Sequence, residues 1–488
     1  MQGSLRKACF VLSIFVAAIA LWACSASRDT VIAITHVTVI DATGAPPKAD
    51  TTVIVTGSRI SAIGPSSSIA ISSVTKTIDG SGKFLIPGLA DMHVHLTGAG
   101  EPNGSREFVL PLLVANGITT VRDMGGKVEF LKTLRSEIDS GKRVGPQIFF
   151  TGPYLDGNPP SFQPSIVVQT AAEASTAVDQ LRSDGVDFIK VQSRLQPGAY
   201  FAITRESKKL GIRFVGHVPD SITALQASEA GQASIEHLTG VLLGASEKEE
   251  ELRNEKIEAT PTGESAEASG KRNRLWTRTL LDSASNQKTA ALLAAFAKNR
   301  TWQVPTFPTL VHIGFLTPRT DLAGDWRMKY VPGDVQKSWQ SGRREQLEGY
   351  SAEDFALRET IVQRCMEVVG KMNSAGVPLM AGTDTAAPNV IPGFSLHEDL
   401  EYLVRSGLTP MQALQAATIK PAEFLGRSSE QGSIEVGKRA DLVLLDASPL
   451  ADIRNTEKIR AVILNGKLLD RNELDKLLAS VEQFAATH

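Results

Sequence analysis

The sequence predicts an α/β fold, a (β/α)8 TIM barrel joined to a small β-sandwich domain formed by the N- and C-terminal segments. In the middle of the chain, eight apolar strand-like runs alternate with longer amphipathic stretches. This alternation is typical of a parallel sheet surrounded by helices. Short β-type runs separated by Gly, Pro, Asp and Ser occur towards both ends, which predicts the smaller domain. With 488 residues, 42% of them hydrophobic, the chain has enough apolar material for both domains.

The N-terminal segment has the pattern of a signal peptide. Arg6 and Lys7 precede an apolar run from Ala8 to Trp22, and small residues follow it. The run is shorter than the roughly 20 residues that cross a bilayer comfortably, so a permanent transmembrane helix is the weaker interpretation. The segment ending at Cys24 resembles a bacterial lipobox, although Trp22 stands where a small residue is usual. We therefore predict an exported protein, periplasmic or anchored to the membrane through a lipidated Cys24, with plain secretion as the alternative.

The predicted domain boundaries follow the change from short β-type runs to the longer alternation. Residues 1–24 form the signal peptide, 25–83 the first part of the β domain, 84–428 the barrel and 429–488 the rest of the β domain. A charged segment at about 246–286 interrupts the alternation, and we expect an irregular, mobile insertion over the barrel mouth, either a lid or a bystander. The eight runs are Gly88 to His95, Ile118 to Met124, Gln147 to Gly152, Asp187 to Gln192, Phe214 to Val218, Ser234 to Leu238, Trp302 to Phe307, and Pro378 to Asp384.

Charge and cysteine content exclude several classes of function. The formal net charge is -2 and the basic residues form no long run, so nucleic acid is not an expected partner. Cysteine occurs only at Cys9, Cys24 and Cys365, and removal of the leader would leave Cys365 alone. A disulfide and a thiolate-rich zinc site are then excluded, so histidines and carboxylates must hold any metal ion.

Candidate ligands begin with His93 and His95 at the end of the first run. Side chains alternate along a strand, so both imidazoles point the same way. An isolated pair in this spacing is more often a surface or core pair than a metal site, but the C-terminal end of a barrel strand favours a functional one.

Lys190 lies among apolar residues in the fourth run. Burial favours the neutral amine, which can take up carbon dioxide to form a carbamate with two oxygens able to bridge two metals. The alternative is a lysine whose ammonium reaches water at the strand end.

His217, His237 and Asp384 end the fifth, sixth and eighth runs. Each alone is consistent with a structural role, such as a cap or a turn for Asp384. Candidate ligands at the ends of runs one, four, five, six and eight together predict a metal site.

At these residues the sequence resembles the amidohydrolase superfamily, in its imidazolonepropionase-like and Xaa-Pro dipeptidase (prolidase) branch. The resemblance extends from about Val31 to Leu477 and is highly specific for the superfamily but weak for the substrate. Its motifs are Gly82 to His95, Thr119 to Asp123, Ser234 to Leu238, Ala381 to Asp384, and Gly437 to Leu442.

The resemblance implies a binuclear site, with zinc as the expected metal. His93, His95 and Asp384 would hold the more buried ion, His217 and His237 the second, and carboxylated Lys190 would bridge both. The metals would supply hydroxide and polarise the scissile carbonyl, while catalytic Asp384 passes a proton to the leaving nitrogen. The expected reaction is hydrolysis of a carbon–nitrogen bond in a small molecule, such as an Xaa-Pro dipeptide or an N-acyl amino acid.

Substrate recognition is less constrained. Tyr154 and Arg194 are candidate partners of a substrate carboxylate by location only, and either can be an ordinary surface residue. Arg122 and Asp123 are expected to pair, as support for the ligands or as a structural ion pair. Cyclic amidase, lactonase or esterase activity and a catalytically silent, lipid-anchored binding protein are the alternatives. Barrels of this family often associate, so a homo-oligomer is also open.

Overall fold

The computed structural model describes residues 30–73, 75–96, 104–258, 266–314 and 324–488. The predicted signal peptide and Cys24 lie outside these residues. Within the described ranges, no helix combines the length and the apolar character needed to cross a membrane.

Strands occupy the two ends and the middle of the chain. They are β1 Val31–Val39, β2 Lys48–Thr56, β3 Arg59–Pro65, β4 Lys76–Asp79, β5 Phe84–Pro87, β6 Leu89–Val94, β7 Ile118–Asp123, β8 Gln147–Phe150, β9 Tyr154–Asp156, β10 Ser165–Val167, β11 Ile189–Val191, β12 Phe214–Gly216, β13 Ser234–Glu236, β14 Trp302–Val304, β15 Leu442–Leu445, β16 Ile459–Leu464 and β17 Lys467–Leu469.

Helices follow the central strands and close the chain. They are α1 Leu110–Ala115, α2 Val128–Asp139, α3 Ala171–Ser183, α4 Pro197–Leu210, α5 Ala224–Glu229, α6 Val241–Gly244, α7 Glu249–Glu258, α8 Ala266–Asp282, α9 Asn286–Asn299, α10 Phe307–Thr309, α11 Gly333–Leu347, α12 Ala352–Ser374, α13 Phe394–Arg405, α14 Pro410–Ala416, α15 Ile419–Leu425 and α16 Arg471–Thr487.

The two ends of the chain share one sheet. Its strand order is β17-β16-β15-β5-β1-β2-β3, with β4 beside β1. The strand β5 pairs in parallel with β1 and antiparallel with β15, where Leu85 lies opposite Leu444. Alternate residues of these strands, including Ile32, Ile34 and Leu442, form one buried apolar cluster. The strands form a single sheet, and the second layer of the expected sandwich stays a prediction.

The central strands form two parallel sheets. One has the order β6-β7-β8, and the other the order β10-β9-β11-β12-β13-β14. Seven of the eight predicted runs therefore contain a strand. The short strands β9 and β10 were not predicted, and they place Tyr154 beside the fourth run.

The eighth run differs from the prediction, because it is not a continuous strand. It makes only isolated parallel bridges, Leu379 with Gln303 and Thr385 with Val94. Asp384 has φ 66°, which interrupts the extended conformation at the end of the run. The run still lies between β14 and β6.

The insertion also differs from the prediction. Residues expected to be irregular form α7 and α8, separated by 259–265, which lie outside the described residues. Leu252 and Leu280 pack with Leu243, and the partly buried Trp276 joins them. The many charged residues of this segment are good helix formers, and its few apolar residues share one buried side.

Two of the amphipathic stretches that follow the strand-like runs form helices. The stretch Thr170 to Ser183 forms α3, and the stretch Tyr350 to Asn373 forms most of α12. Thr170 and Ser351 are their N-caps, each in a reciprocal capping box.

Candidate metal centre

His93, His95 and Asp384 converge at the end of β6. The Nε2 atom of His95 lies 2.9 Å from Oδ1 of Asp384, and the Nε2 atom of His93 lies 3.3 Å from the same oxygen. One ligand atom from each of the three residues lies within 4.8 Å of the others. The Nε2 atom of His93 is buried and has no hydrogen-bond partner among the described residues. A buried polar atom without a partner is costly, so this atom is suited to a ligand that the protein itself does not supply.

His237 and His217 extend the cluster. The Nε2 atom of His237 lies 3.9 Å from Oδ2 of Asp384. The ring of His237 lies 4.6 Å from that of His93 and 5.0 Å from that of His217, between ring centroids. The structure thus brings together all four histidines that the sequence singled out.

Three of these imidazoles are oriented through their Nδ1 atoms. In His93 this atom lies 2.8 Å from Oε2 of Glu236, in His237 it lies 2.6 Å from Oγ1 of Thr306, and in His217 it lies 2.9 Å from Oγ of Ser193. A partner on Nδ1 fixes the ring and leaves Nε2 as the available ligand atom, which is the usual arrangement around a bound metal.

Lys190 is buried in β11, next to β12. Burial lowers the pKa of its ammonium to about 8, although the charges of Glu236 and Asp384 oppose this effect. A Cβ atom on Gly216 would lie 2.2 Å from the carbonyl oxygen of Val191 and 3.0 Å from Cδ of Lys190. Glycine at this position, with φ 129°, therefore leaves room for the lysine side chain.

Arg122 pairs with Glu236 and not with Asp123, so the expected Arg122–Asp123 pair is wrong. Arg122 is fully buried, and its Nη2 lies 2.9 Å from Oε1 of Glu236. Asp123 instead accepts hydrogen bonds from the backbone N–H groups of Leu96 and Gly125. Neighbouring residues on a strand point to opposite sides of the sheet, so the side chains of Arg122 and Asp123 are directed away from each other.

A second buried carboxylate lies under the ligands. Asp91 accepts hydrogen bonds from the backbone N–H of His93 and from the hydroxyl and N–H of Thr383. These contacts hold the first and eighth runs together directly below His93 and Asp384. Burial raises the pKa of Asp91 to about 7, against the effect of these hydrogen bonds.

Several site residues have left-handed backbone conformations. The φ angles are 57° for His237, 51° for Thr306 and 66° for Asp384. Such angles cost about 1–3 kcal/mol in residues other than glycine and persist where the surroundings impose them, often at functional sites.

The electrostatics favour a neutral imidazole at three of the four histidines, whereas at His95 the hydrogen bond and the charge of Asp384 outweigh burial and raise the pKa. Burial, followed by the positive charge of Lys190, holds the pKa values of His93 and His217 well below the usual range. Burial also lowers the pKa of His237, to about 4. Burial raises the pKa of Asp384, but the interactions with His237, His95 and Lys190 outweigh this effect, so the net pKa is lowered. Neutral imidazole and ionised carboxylate are the forms that bind metal ions.

Of the two candidate substrate residues, the structure brings Tyr154 to the cluster. Its hydroxyl lies 3.3 Å from Nδ1 of His95, and a Cβ atom on Gly125 would overlap its ring. The side chain of Arg194 is exposed, and its guanidinium donates to the carbonyl of Pro159 in the segment after β9.

Sequence reasoning missed the residues that support the ligands, namely Glu236, Ser193, Thr306 and Asp91. The sequence contained one signal for Glu236, because Ser234 and Glu236 occupy alternate positions of a buried strand. A carboxylate at a buried strand position needs a partner, and Arg122 on another strand has the same need.

The sequence of the chain matches a known protein family. The amidohydrolase family matches residues 84–469. An imidazolonepropionase of Shouchella clausii (strain KSM-K16) is 42% identical over 81 residues, 16% of this chain and 17% of that protein. An ochratoxinase of Aspergillus niger is 31% identical over 117 residues, 24% of this chain and 23% of that protein. The matched segments thus cover less than a quarter of each of these two curated relatives.

Solved structures share the fold over most of the chain. A candidate prolidase from Bifidobacterium longum is 25% identical with a TM-score of 0.66, over 93% of this chain and 99% of that chain. A Xaa-Pro dipeptidase with bound methionine in its active site is 20% identical with a TM-score of 0.63, over 90% of this chain and 100% of that chain. A bottromycin amidohydrolase is 20% identical with a TM-score of 0.71, over 94% of this chain and 91% of that chain.

Proposed function

Because the chain belongs to the amidohydrolase family, we propose that it is a metal-dependent hydrolase of carbon–nitrogen bonds in Xaa-Pro dipeptides or N-acyl amino acids. The observation that carries this proposal is the convergence of His93, His95 and Asp384 within 4.8 Å. The similarity to a structure described as a Xaa-Pro dipeptidase supports the dipeptide class.

The residues fit a divalent metal ion. Imidazole nitrogens with a carboxylate are a usual donor set for zinc, and the buried Nε2 atom of His93 lacks a partner among the described residues. In our proposal His93, His95 and Asp384 would hold one zinc ion, His217 and His237 would hold a second, and carboxylated Lys190 would serve as a ligand shared by the two. Bound metal ions would polarise a scissile carbonyl and lower the pKa of water.

The side chains of the protein have separate tasks. Asp384 would be the catalytic residue, accepting a proton from the attacking water and delivering it to the leaving nitrogen. Its carboxylate lies at the centre of the cluster, near His93, His95 and His237. Glu236 fixes the ring of His93 through Nδ1. Tyr154 is the proposed contact for the substrate, supported by its hydroxyl lying 3.3 Å from Nδ1 of His95.

We also propose that the two parallel sheets close into a (β/α)8 barrel. The N–H of Asp187 donates to the carbonyl of Phe150 at 2.9 Å, which links β8 to the approach of β11. The N–H of Met380 donates to Gln303, and the N–H of Met92 donates to Ala381. Met92, Phe149, Val215, Val304 and Met380 share one buried cluster, as expected for a common interior.

The first experiment measures metal content per chain in protein lacking residues 1–24, with hydrolysis of Xaa-Pro dipeptides and N-acyl amino acids. We expect about two zinc ions and turnover of one substrate class. The variant His93→Asn should lose metal, whereas His397→Asn, at another fully buried histidine, should keep it. One ion per chain would contradict the binuclear proposal, and no ion after reconstitution would favour a binding protein that lacks catalysis.

A second experiment tests the bridging role of Lys190. Lys190→Ala should lose metal and activity, and added short carboxylic acids should restore part of both by replacing the carbamate. Two retained ions and a full rate in Lys190→Ala would show that the assignment is wrong.

Opening of a cyclic amide is the second candidate function. It is favoured by the 42% identity to an imidazolonepropionase, over 81 residues. Cyclic amides, lactones and esters belong on the same substrate panel, since hydroxide attacks all three. Turnover of a cyclic amide without turnover of dipeptides or N-acyl amino acids would replace the first candidate.

We further propose that the chain is exported and anchored through lipidated Cys24. The arrangement of Arg6, Lys7 and the apolar run to Trp22 supports this proposal. Membrane fractionation of the unaltered chain and of Cys24→Ser tests it. Release of the variant into the soluble fraction is expected, and an identical distribution of the two would count against anchoring.

A further inference from the structure

A cavity of about 200 Å³ adjoins the candidate metal centre. It reaches the centre on one side, because His237 lies 3.9 Å from Asp384 and Ser193 lies 2.9 Å from Nδ1 of His217. The opposite wall comes from the insertion and from α12. The lining includes Ser193, His237, Lys256, Trp276, Leu280 and Ile361.

The cavity combines apolar walls with one cation, Lys256, that can donate hydrogen bonds to a further anion. The Nζ atom of Lys256 lies 2.7 Å from Oδ1 of Asp220, and the lysine side chain is half exposed. An ammonium group has three N–H donors, so the contact with Asp220 leaves donors for a second acceptor. The other cation of the lining, Arg253, donates to the carbonyls of Asp220 and Ile222 and to Glu249.

Lys256 lines the same cavity as the candidate ligand His237, although it lies on α7 of the insertion.

We propose that Lys256 binds the carboxylate of the substrate in this cavity, with Trp276, Leu280 and Ile361 around its apolar part. This inference rests on the proposed function and names the residue that selects acidic substrates over neutral ones. Asp220 is the resting partner of Lys256 and competes with the substrate carboxylate. The insertion is then a specificity element, and Lys256 takes the recognition role that the sequence suggested for Arg194.

The test uses metal-loaded protein and two probes without a scissile carbon–nitrogen bond, 3-phenylpropanoate and the neutral 3-phenylpropan-1-ol, bound in a calorimeter. We expect the acid to bind at least about 10-fold more tightly, since charge-assisted hydrogen bonds are the stronger ones. Lys256→Gln should abolish this preference, and Lys256→Arg should retain it. Lys248→Gln is the matched control, since Lys248 belongs to the same insertion but pairs with Glu251 at the surface.

A second measurement separates this inference from the proposed function. For acetate release from N-acetyl-L-phenylalanine, Lys256→Gln should raise KM about 10-fold with little change in kcat, because Lys256 contacts the bound carboxylate. Asp220→Asn should tighten binding of 3-phenylpropanoate. A preference for the acid that survives in Lys256→Gln, or equal binding of both probes by the unaltered protein, overturns the inference. Binding as expected without any carbon–nitrogen hydrolysis overturns the proposed function instead.

Discussion

Glu236 is the residue on which the support of the candidate site depends. Its carboxylate contacts both His93 and Arg122, and all three side chains are fully buried. Removing one partner of a buried ion pair leaves the other charge uncompensated. We expect Glu236→Gln to lower the free energy of unfolding by about 3–5 kcal/mol and to weaken metal binding by about 10–100-fold.

Chemical denaturation and metal titration of the Glu236→Gln variant check this expectation. The control is Glu129→Gln, which removes a highly exposed carboxylate from a surface pair with Lys132. If both variants retain the stability and metal affinity of the unaltered protein, Glu236 does not orient His93.

His397 gives a prediction for the pH dependence of stability. Burial lowers its pKa to about 4 from an ordinary value of 6.5, and its Nδ1 lies 2.9 Å from Oγ1 of Thr456. Between these two pH values the unfolded chain binds a proton at His397 and the folded protein does not. The stability that comes from the neutral His397 is therefore complete above pH 6.5 and is lost as the pH falls towards 4. The free energy of unfolding decreases by about 3 kcal/mol over this pH range.

Unfolding curves at pH 4 to 7 should show a smaller loss of stability towards acid in His397→Gln than in the unaltered protein. The control is Leu275→Gln, at an exposed position that carries no titratable group, which should keep the original slope. Equal slopes in the unaltered protein and His397→Gln would exclude a buried neutral imidazole as the cause.

At the residue scale, the sequence predicted the convergence of the candidate ligands better than it predicted their supporting contacts. Strand alternation is enough to bring His93 and His95 to one side. The pairing of Arg122 with Glu236 joins residues on different strands, and its geometry depends on the twist and register of the assembled sheet. Local periodicity contains no information on either quantity.

At the scale of elements, the close approach of β11 and β12 fixes the position of Lys190. Gly216→Ala would place a methyl group 2.2 Å from the carbonyl oxygen of Val191. We expect a loss of about 1–3 kcal/mol or more, as for overpacked cores, together with reduced metal content. Gly198→Ala in α4 meets no atom within 4 Å and should be neutral or slightly stabilising. The melting temperatures of the two variants are compared by thermal unfolding. Equal values would contradict the predicted clash.

The insertion is expected to unfold with the rest of the protein, because α7 and α8 are packed against it. Leu252 is fully buried beside Leu243 and Leu280. Leu252→Ala should therefore cost about 2–5 kcal/mol. Leu275→Ala, at a position 66% exposed, should cost little. An unchanged global transition in Leu252→Ala, with faster proteolysis inside the insertion, would show that the two helices unfold separately.

Two elements show where prediction from periodicity fails. The eighth run has the apolar character of a strand, but it makes only isolated bridges, Leu379 with Gln303 and, just beyond its end, Thr385 with Val94. The insertion has the charge of a solvated loop, yet a single apolar side formed by Leu252, Trp276 and Leu280 folds it into helices. In both cases a few tertiary contacts outweigh the average composition.

At the scale of the whole molecule, Cys365 can report global unfolding. Burial raises the pKa of its thiol to about 12, so only about one thiol in ten thousand ionises at pH 8. With Cys9 and Cys24 changed to serine, we expect no reaction with iodoacetamide in the native state and full reaction in denaturant. Addition of Ser480→Cys, at an exposed position of α16, should introduce one rapidly alkylated thiol. Rapid labelling of the native protein in the absence of Ser480→Cys would contradict the burial of Cys365.

The shared sheet of the two ends has a consequence for biosynthesis. A ribosome releases β5 early, but the antiparallel partner of this strand, β15, is among the last strands to emerge. Until then, β5 has an open edge directly before β6, the strand that bears His93. Long-range pairing of this kind forms late and slowly. A premature stop before Leu442 would therefore leave β6, the first of the central parallel strands, attached to an unfinished, aggregation-prone sheet, even though every candidate metal ligand had already been synthesised.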